Sequence, residues 1–166
     1  MDREYFMGPE TQGANGSRTM DFDRNPTVLL VFAANRFTRD ATRFLQQNYG
    51  IGAMDWRTLV MLTKEPDTPV ARASQVMGID KAAVSRAFAS LNKAGLVTAS
   101  VPAGDSRRKN WRLTEKGQAL HDEMLGAVLD RQQEILRGFT DQEVKVLNDL
   151  FLRLITNIEA LGDENA

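Results

Sequence analysis

Residues 70–97, VARASQVMGIDKAAVSRAFASLNKAGLV, constrain the fold more than any other part of this chain. Thr68-Pro69 opens a short helix, PVARASQVM, and Gly78 closes it. Asp80 is placed to cap the next helix, DKAAVSRAFASLNKAG. Val84, Phe88 and Leu91 fall at i, i+4 and i+7, so one face of that helix is apolar. Gly95 stands where a left-handed residue ends a helix. Two short helices with Gly78-Ile79 between them make a helix-turn-helix.

A change of period follows at once. Val97, Ala99 and Val101 alternate with Thr98 and Ser100, "PAGD" is turn chemistry, and NWRL returns with Trp111 and Leu113 on one face and Arg112 on the other. Residues 96–114 therefore read as a β-hairpin with the basic run Arg107-Arg108-Lys109 between its turn and its second strand. Upstream, Asn25-Pro26 starts a helix with apolar residues at Leu30, Ala33, Phe37, Ala41, Phe44 and Leu45, ending at Tyr49-Gly50. GAMDWRTLVMLTKEPD is the next, with Asp55 favourable in its first turn and Pro66 as its stop. Downstream, one long helix runs from the Thr114 cap to about Gly138, and TDQE, a capping box of Thr140 and Glu143, opens the last. In that last helix Val144, Leu147, Phe151, Leu154, Ile158 and Leu161 step by 3 and 4, a heptad seam that a second copy of the chain would cover most simply. The class is mainly α with a small β-hairpin wing: a winged helix-turn-helix lobe at residues 51–113, a helical dimerisation region at 25–50 and 114–162, and a flexible N-terminal arm at 1–24, rich in Gly, Asn, Ser and Thr.

Charge points to what the lobe meets. The chain carries net charge −1, yet residues 80–116 hold eight basic and three acidic residues, a local +5. The remaining 13 basic and 19 acidic residues leave −6 elsewhere. A localised positive patch suits a polyanion. The chain lacks cysteine, which removes thiol chemistry and thiolate zinc sites. It has neither an apolar run of membrane-spanning length nor a secretory leader, so a cytoplasmic location without membrane contact is expected. His121, the single histidine, reads as a helix-surface residue rather than a catalytic or metal-binding one, and no catalytic group, metal site or cofactor is expected.

The order helix, turn, helix, basic hairpin is that of a winged helix. Its second helix can lie in a DNA major groove, presenting Lys81, Ala82, Ser85, Arg86, Ala89 and Lys93, with the small residues allowing close approach. The hairpin would send Arg107 into the adjacent minor groove, with Asp105 paired to it and fixing its direction, while Arg108 and Lys109 reach phosphates. The rival class, a winged-helix protein-interaction module without DNA affinity, would present an apolar or acidic face there.

Over about residues 26–161 the sequence resembles the MarR family. The resemblance rests on ASQVMGIDKAAVSRAFASLNKAGLV followed by DSRRKNWRLTEKG, with the family's Asp-x-Arg at Asp105 and Arg107, its Leu-Thr at Leu113-Thr114, its Ser-Arg at Ser85-Arg86 and its Gly-Leu-Val at Gly95-Leu96-Val97. Two positions depart from the family pattern. Arg72, Ala73 and Ser74 stand where Glu-Leu-Ala is usual, and Arg72 would suit a phosphate; Gly52 replaces a Thr or Ser helix cap. The resemblance implies a dimeric regulator of transcription, in most cases a repressor, on a pseudo-palindromic double-stranded DNA operator. Zinc and thiol oxidation, two signals of the family, do not fit one histidine and no cysteine, which leaves a non-covalent small-molecule effector. The resemblance places its site between the dimer helices and the DNA-binding lobe. Arg36 and Phe37 of the first helix and Trp56 and Met61 of the second are the candidate liners, an arginine beside aromatics suiting an aromatic carboxylate.

Overall fold

Helices in this chain begin and end where glycine, proline and short polar side chains punctuate it. The computed structural model describes residues 2–9, 13–101 and 109–163. They form α1 (Pro26–Tyr49), α2 (Ala53–Lys64), β1 (Thr68–Pro69), α3 (Val70–Met77), α4 (Lys81–Lys93), β2 (Val97–Ser100), β3 (Asn110–Leu113), α5 (Glu115–Ile135) and α6 (Asp141–Asp163). Two compact units divide between His121 and Asp122.

In the first unit, α2 to β3 enclose a core of Leu59, Leu62, Ala73, Val84, Phe88, Leu91, Leu96, Val97 and Trp111. The inward stripe expected of α4 is there: Val84 and Phe88 are fully buried and Leu91 nearly so. Asp80 caps α4 through Oδ1, which accepts from the Ala83 N–H at 2.9 Å. Gly78 at φ +62° and Gly95 at φ +73° end α3 and α4 in the left-handed region, as expected. After Gly95, the Leu96 N–H returns to the Leu91 carbonyl at 2.9 Å, and the chain turns directly into β2. Asp55 accepts from the Gly52 N–H at 3.0 Å, so the glycine that replaces a hydroxyl cap is itself capped.

The sheet is antiparallel in the order β1-β3-β2, with Thr68 opposite Trp111 and Ala99 opposite Trp111 on the other side. Here the structure corrects two readings. α3 starts at Val70 with Pro69 as its cap position, one residue later than expected, and Thr68-Pro69 also forms a third strand; buried Thr68 donates its hydroxyl to the Glu65 carbonyl at 2.5 Å, and Pro69 occupies an edge strand, where its missing N–H costs little. Val101 lies beyond the end of β2 and is half exposed rather than inward.

At the base of the hairpin, Thr114 caps α5: its Oγ1 accepts from the Gly117 N–H at 3.1 Å and donates to the Gly95 carbonyl at 2.7 Å. The Thr114 N–H reaches the Leu96 carbonyl at 3.1 Å, and Lys116 Nζ reaches the Ala94 carbonyl at 2.9 Å. His121, read as a surface residue, is buried instead, its ring stacked on Trp56 at 5.3 Å and 15°.

Asn25 precedes α1 but does not cap it through its side chain. The side chain is buried, and its amide nitrogen donates to the Phe6 carbonyl at 2.8 Å and to the Asp21 carbonyl. Proline at the start of α1 leaves fewer N–H groups to satisfy, so the amide is available for the preceding segment. The arm expected to be mobile carries structure over its described residues: Met7 bridges Met20, the Gly8 N–H reaches the Thr19 carbonyl at 2.8 Å, and Phe22 meets Phe32 edge to face at 5.4 Å. Of the periodic apolar positions on α1, Leu45 is buried, whereas Ala33 and Phe37 are exposed.

In the second unit, α6 opens with the expected capping box. The Thr140 N–H donates to Glu143 Oε2 at 2.7 Å, and the Glu143 N–H donates back to Thr140 Oγ1 at 3.3 Å. The Thr140 backbone N–H, then its hydroxyl, hold the Glu143 carboxyl below the usual carboxylate range. Along the seam, Val144, Leu147 and Leu154 are half-buried and Phe151, Ile158 and Leu161 are exposed, together with Leu150, Leu152 and Ile155.

Candidate nucleic-acid interface

The face of α4 opposite the core presents every residue expected of it. Lys81, Ala82, Ser85, Arg86, Ala89 and Lys93 are all exposed, while Val84, Ala87, Phe88 and Leu91 anchor the helix from behind. Lys81, Arg86 and Lys93 make no ion pair with any described residue. Their charges are not spent on the fold.

A groove of about 550 Å³ runs between α4 and the hairpin. Pro69, Val70 and Ala71 form one wall, Ser85, Ala89 and Asn92 another, and Lys109 and Trp111 lie on the hairpin side. Trp111 also stacks on Phe88 at 5.1 Å and 20°, which ties β3 to α4 and so sets where Lys109 stands. The structure thus brings Ser85, Ala89 and Lys109 to one cleft. Asp105, Arg107 and Arg108 lie outside the described residues, and so does their expected ion pair. Asn92 was not among the sequence candidates. It is exposed on the same side of α4, seven residues from Ser85 and three from Ala89, and that spacing was the available signal.

Other cations are committed elsewhere. Arg112 Nε donates to Asp67 Oδ1 at 2.7 Å, tying β3 to the turn before β1, where Asp67 sits at φ +60°. Arg72, on α3, grips Glu65 with two bonds of 2.9 Å each. The hydrogen bond from Arg72, with smaller help from the Arg72 and Lys64 charges, holds the Glu65 carboxyl below the usual carboxylate range, and Glu65 raises the Arg72 guanidinium in turn.

The ligand candidates separate. Trp56 and Met61 line a hollow of about 340 Å³ with Arg57, Val60, Lys64, Val76 and Met77. Arg36 and Phe37 are not in that lining: Arg36 lies over the Phe32 ring at 5.6 Å and donates to the Phe32 carbonyl at 3.0 Å, and Phe37 is half exposed. The hollow's cations are Arg57 and Lys64, which sequence reasoning passed over. Arg57 also donates to Thr38 Oγ1 at 2.9 Å. Among the described residues no group of His, Asp and Glu is arranged to hold a metal ion, and no helix is long and apolar enough to cross a membrane.

Helix α4, capped by Asp80 and set against α3, with a short three-stranded antiparallel sheet, defines a winged helix-turn-helix protein. Residues 49–108 match the sequence model of the MarR family. The fold is similar to that of a MarR/EmrR family transcriptional regulator from Acinetobacter sp. ADP1, at TM-score 0.79 and 28% identity, over 85% of this chain and 99% of that one. It is also similar to the PcaV transcriptional regulator of Streptomyces coelicolor, solved with its natural ligand, at TM-score 0.70 and 21% identity over 83% and 96% of the two chains. S. aureus MepR, solved with DNA, matches at TM-score 0.72 and 18% identity over 81% and 98%. A segment that matches the MarR family model thus lies within a chain whose fold is similar to that of MarR/EmrR family regulators over most of its length.

Proposed function

We propose that this protein is a dimeric, cytoplasmic, sequence-specific DNA-binding regulator of transcription, a repressor released by a small, apolar or aromatic anion. The observation that carries the reading is the exposed face of α4: three unpaired cations, Lys81, Arg86 and Lys93, around the small residues Ala82, Ser85 and Ala89, beside a groove edged by Lys109. A cationic helix face with small side chains suits a major groove, and a protein-docking module would present an apolar or acidic one. Solved DNA and ligand complexes of MepR and PcaV, which share the fold, support the same reading.

Exposed Phe151, Ile158 and Leu161 on α6 support dimerisation through the seam Val144, Leu147, Phe151, Leu154, Ile158 and Leu161, because such a face costs free energy while water covers it. A two-fold dimer reads a pseudo-palindrome with half-sites about 10 bp apart. The hollow at Trp56 and Met61 is the preferred effector site, with Arg57 and Lys64 to pair an anion. Arg107, oriented by Asp105, is assigned to the minor groove, and Arg108 and Lys109 to phosphates. The test is selection of duplexes from a random pool by the purified protein, followed by binding of the enriched sequence. Enrichment of an inverted repeat is expected; no enrichment over a scrambled duplex overturns the reading.

A further inference from the structure

Arg72 follows Ala71 in the first turn of α3, and Ala71 lines the groove beside the recognition helix. The resemblance puts glutamate at this position, and here a cation stands in its place. Its Nε and Nη2 meet Glu65 Oε2 and Oε1, both at 2.9 Å. That two-pronged geometry is also how a guanidinium takes a phosphate. Both side chains are partly open to solvent, at 48% and 32%, so the pair is exchangeable rather than sealed. Glu65 also occupies the C-cap of α2, where a helix dipole disfavours a carboxylate, so Arg72 is what makes the charge tolerable there.

We propose that Glu65 is an internal stand-in for a DNA phosphate: it occupies Arg72 in the free protein, and a phosphate at the rim of the groove displaces it. The pair then acts as a brake on DNA affinity. The inference rests on the DNA-binding reading above. A simpler account makes the pair only a brace between α2 and α3, its two charges acting on DNA through their summed field. Both accounts have Glu65→Gln binding DNA more tightly, because both lose a negative charge near the polyanion. They part on coupling. A summed field makes the effects of the two residues additive. An exchangeable contact makes the loss of Arg72 more damaging once Glu65 is gone, because Arg72 then holds a phosphate without first giving up its carboxylate partner.

The experiment measures the full chain, Glu65→Gln, Arg72→Ala and the double variant on one selected duplex, by fluorescence anisotropy across a sodium chloride series. Melting curves confirm that each is folded, and Glu65→Ala replaces Glu65→Gln if the latter melts below the assay temperature. Arg72→Ala should cost about fivefold more affinity in the Glu65→Gln background than in the unmodified one. Arg72→Ala should flatten the log–log salt slope by about 0.9, the increment for one phosphate, in the Glu65→Gln background. Additive effects overturn the proposal. So does the opposite coupling, which would make Glu65 a positioning residue for Arg72. An unmodified protein that binds no duplex defeats the DNA reading itself, whereas a protein that binds DNA with additive variants defeats only the brake.

Discussion

Gly117 is predicted to be the glycine of α5 that cannot be replaced. A Cβ built on it would stand 1.9 Å from the Leu96 carbonyl oxygen and 2.9 Å from its carbonyl carbon. Both are backbone atoms, and Leu96 cannot retreat cheaply: its N–H is bonded to Leu91 and its carbonyl accepts the Thr114 N–H, while its side chain is in the core. Gly117→Ala therefore has to push α5 away from the end of α4. Overpacking of this kind costs about 1–3 kcal/mol, and loss of the Thr114 bond adds about 1 kcal/mol. Against this, alanine in a helix gains about 1 kcal/mol over glycine. The net is a destabilisation of roughly 2 kcal/mol, which for a chain of this size lowers Tm by about 4–8 °C. Gly126, in the same helix, is the control, for a Cβ there meets nothing within 4 Å. Gly126→Ala should then stabilise by up to about 1 kcal/mol. Urea and thermal melts followed by circular dichroism measure both. If Gly117→Ala melts at or above the unmodified protein, or if the two substitutions shift Tm in the same direction, the close approach is not what requires glycine.

The double substitution of Leu154 and Ile158 by Glu should yield monomers by light scattering at micromolar concentration; a stable monomer of the unmodified chain would instead refute the α6 interface. Lys93→Ala should flatten the log–log salt slope of DNA binding by about 0.9 and leave sequence preference alone, read by anisotropy on matched and mismatched duplexes. The cap of α6 should weaken in acid. The folded-state Glu143 carboxyl lies below its ordinary value of 4.5, so its contribution is present above that value and is lost as pH falls from about 4.5 through the folded-state one. Helix content by circular dichroism should drop over that window, and Glu143→Gln should remove that part of the pH dependence.

What could be read from the sequence was local. The α4 stripe, its Asp80 cap, the glycines ending α3 and α4 and the Thr140–Glu143 box each depend on residues within one or two turns, and the structure reproduces them. What could not be read was fixed across the chain. β1 is two residues long and has no period; only its pairing with Trp111 and Asn110 makes it a strand. Asn25 looks like a cap until the Phe6 and Asp21 carbonyls claim its amide. His121 is a polar residue on a helix until Trp56 covers it. The α4 contact face was legible because small and cationic side chains share its outward period. The hollow was not, because Arg57 and Lys64 join Val76 and Met77 only through the packing of α2 and α3.

Charge counting shows the same divide with a consequence for binding. The local excess at residues 80–116 treats its eight cations as equivalent, and the fold does not. Arg112 is held by Asp67, and Lys116 by the Ala94 carbonyl, which closes the end of α4. Each serves the structure that aims the others. Subtracting them leaves Lys81, Arg86, Lys93 and Lys109 among the described residues, and with the expected contacts of Arg107 and Arg108 the proposed count is six. Six phosphates neutralised correspond to a log–log salt slope of about −5 per lobe and about −11 for a dimer. Base contacts by Arg86 or a minor-groove Arg107 would make that a ceiling, since a cation reading a base edge releases no phosphate counterion. A slope beyond it would require cations that the free fold keeps for itself, such as Arg72 and Arg112, whose carboxylate partners Glu65 and Asp67 are both partly open to solvent.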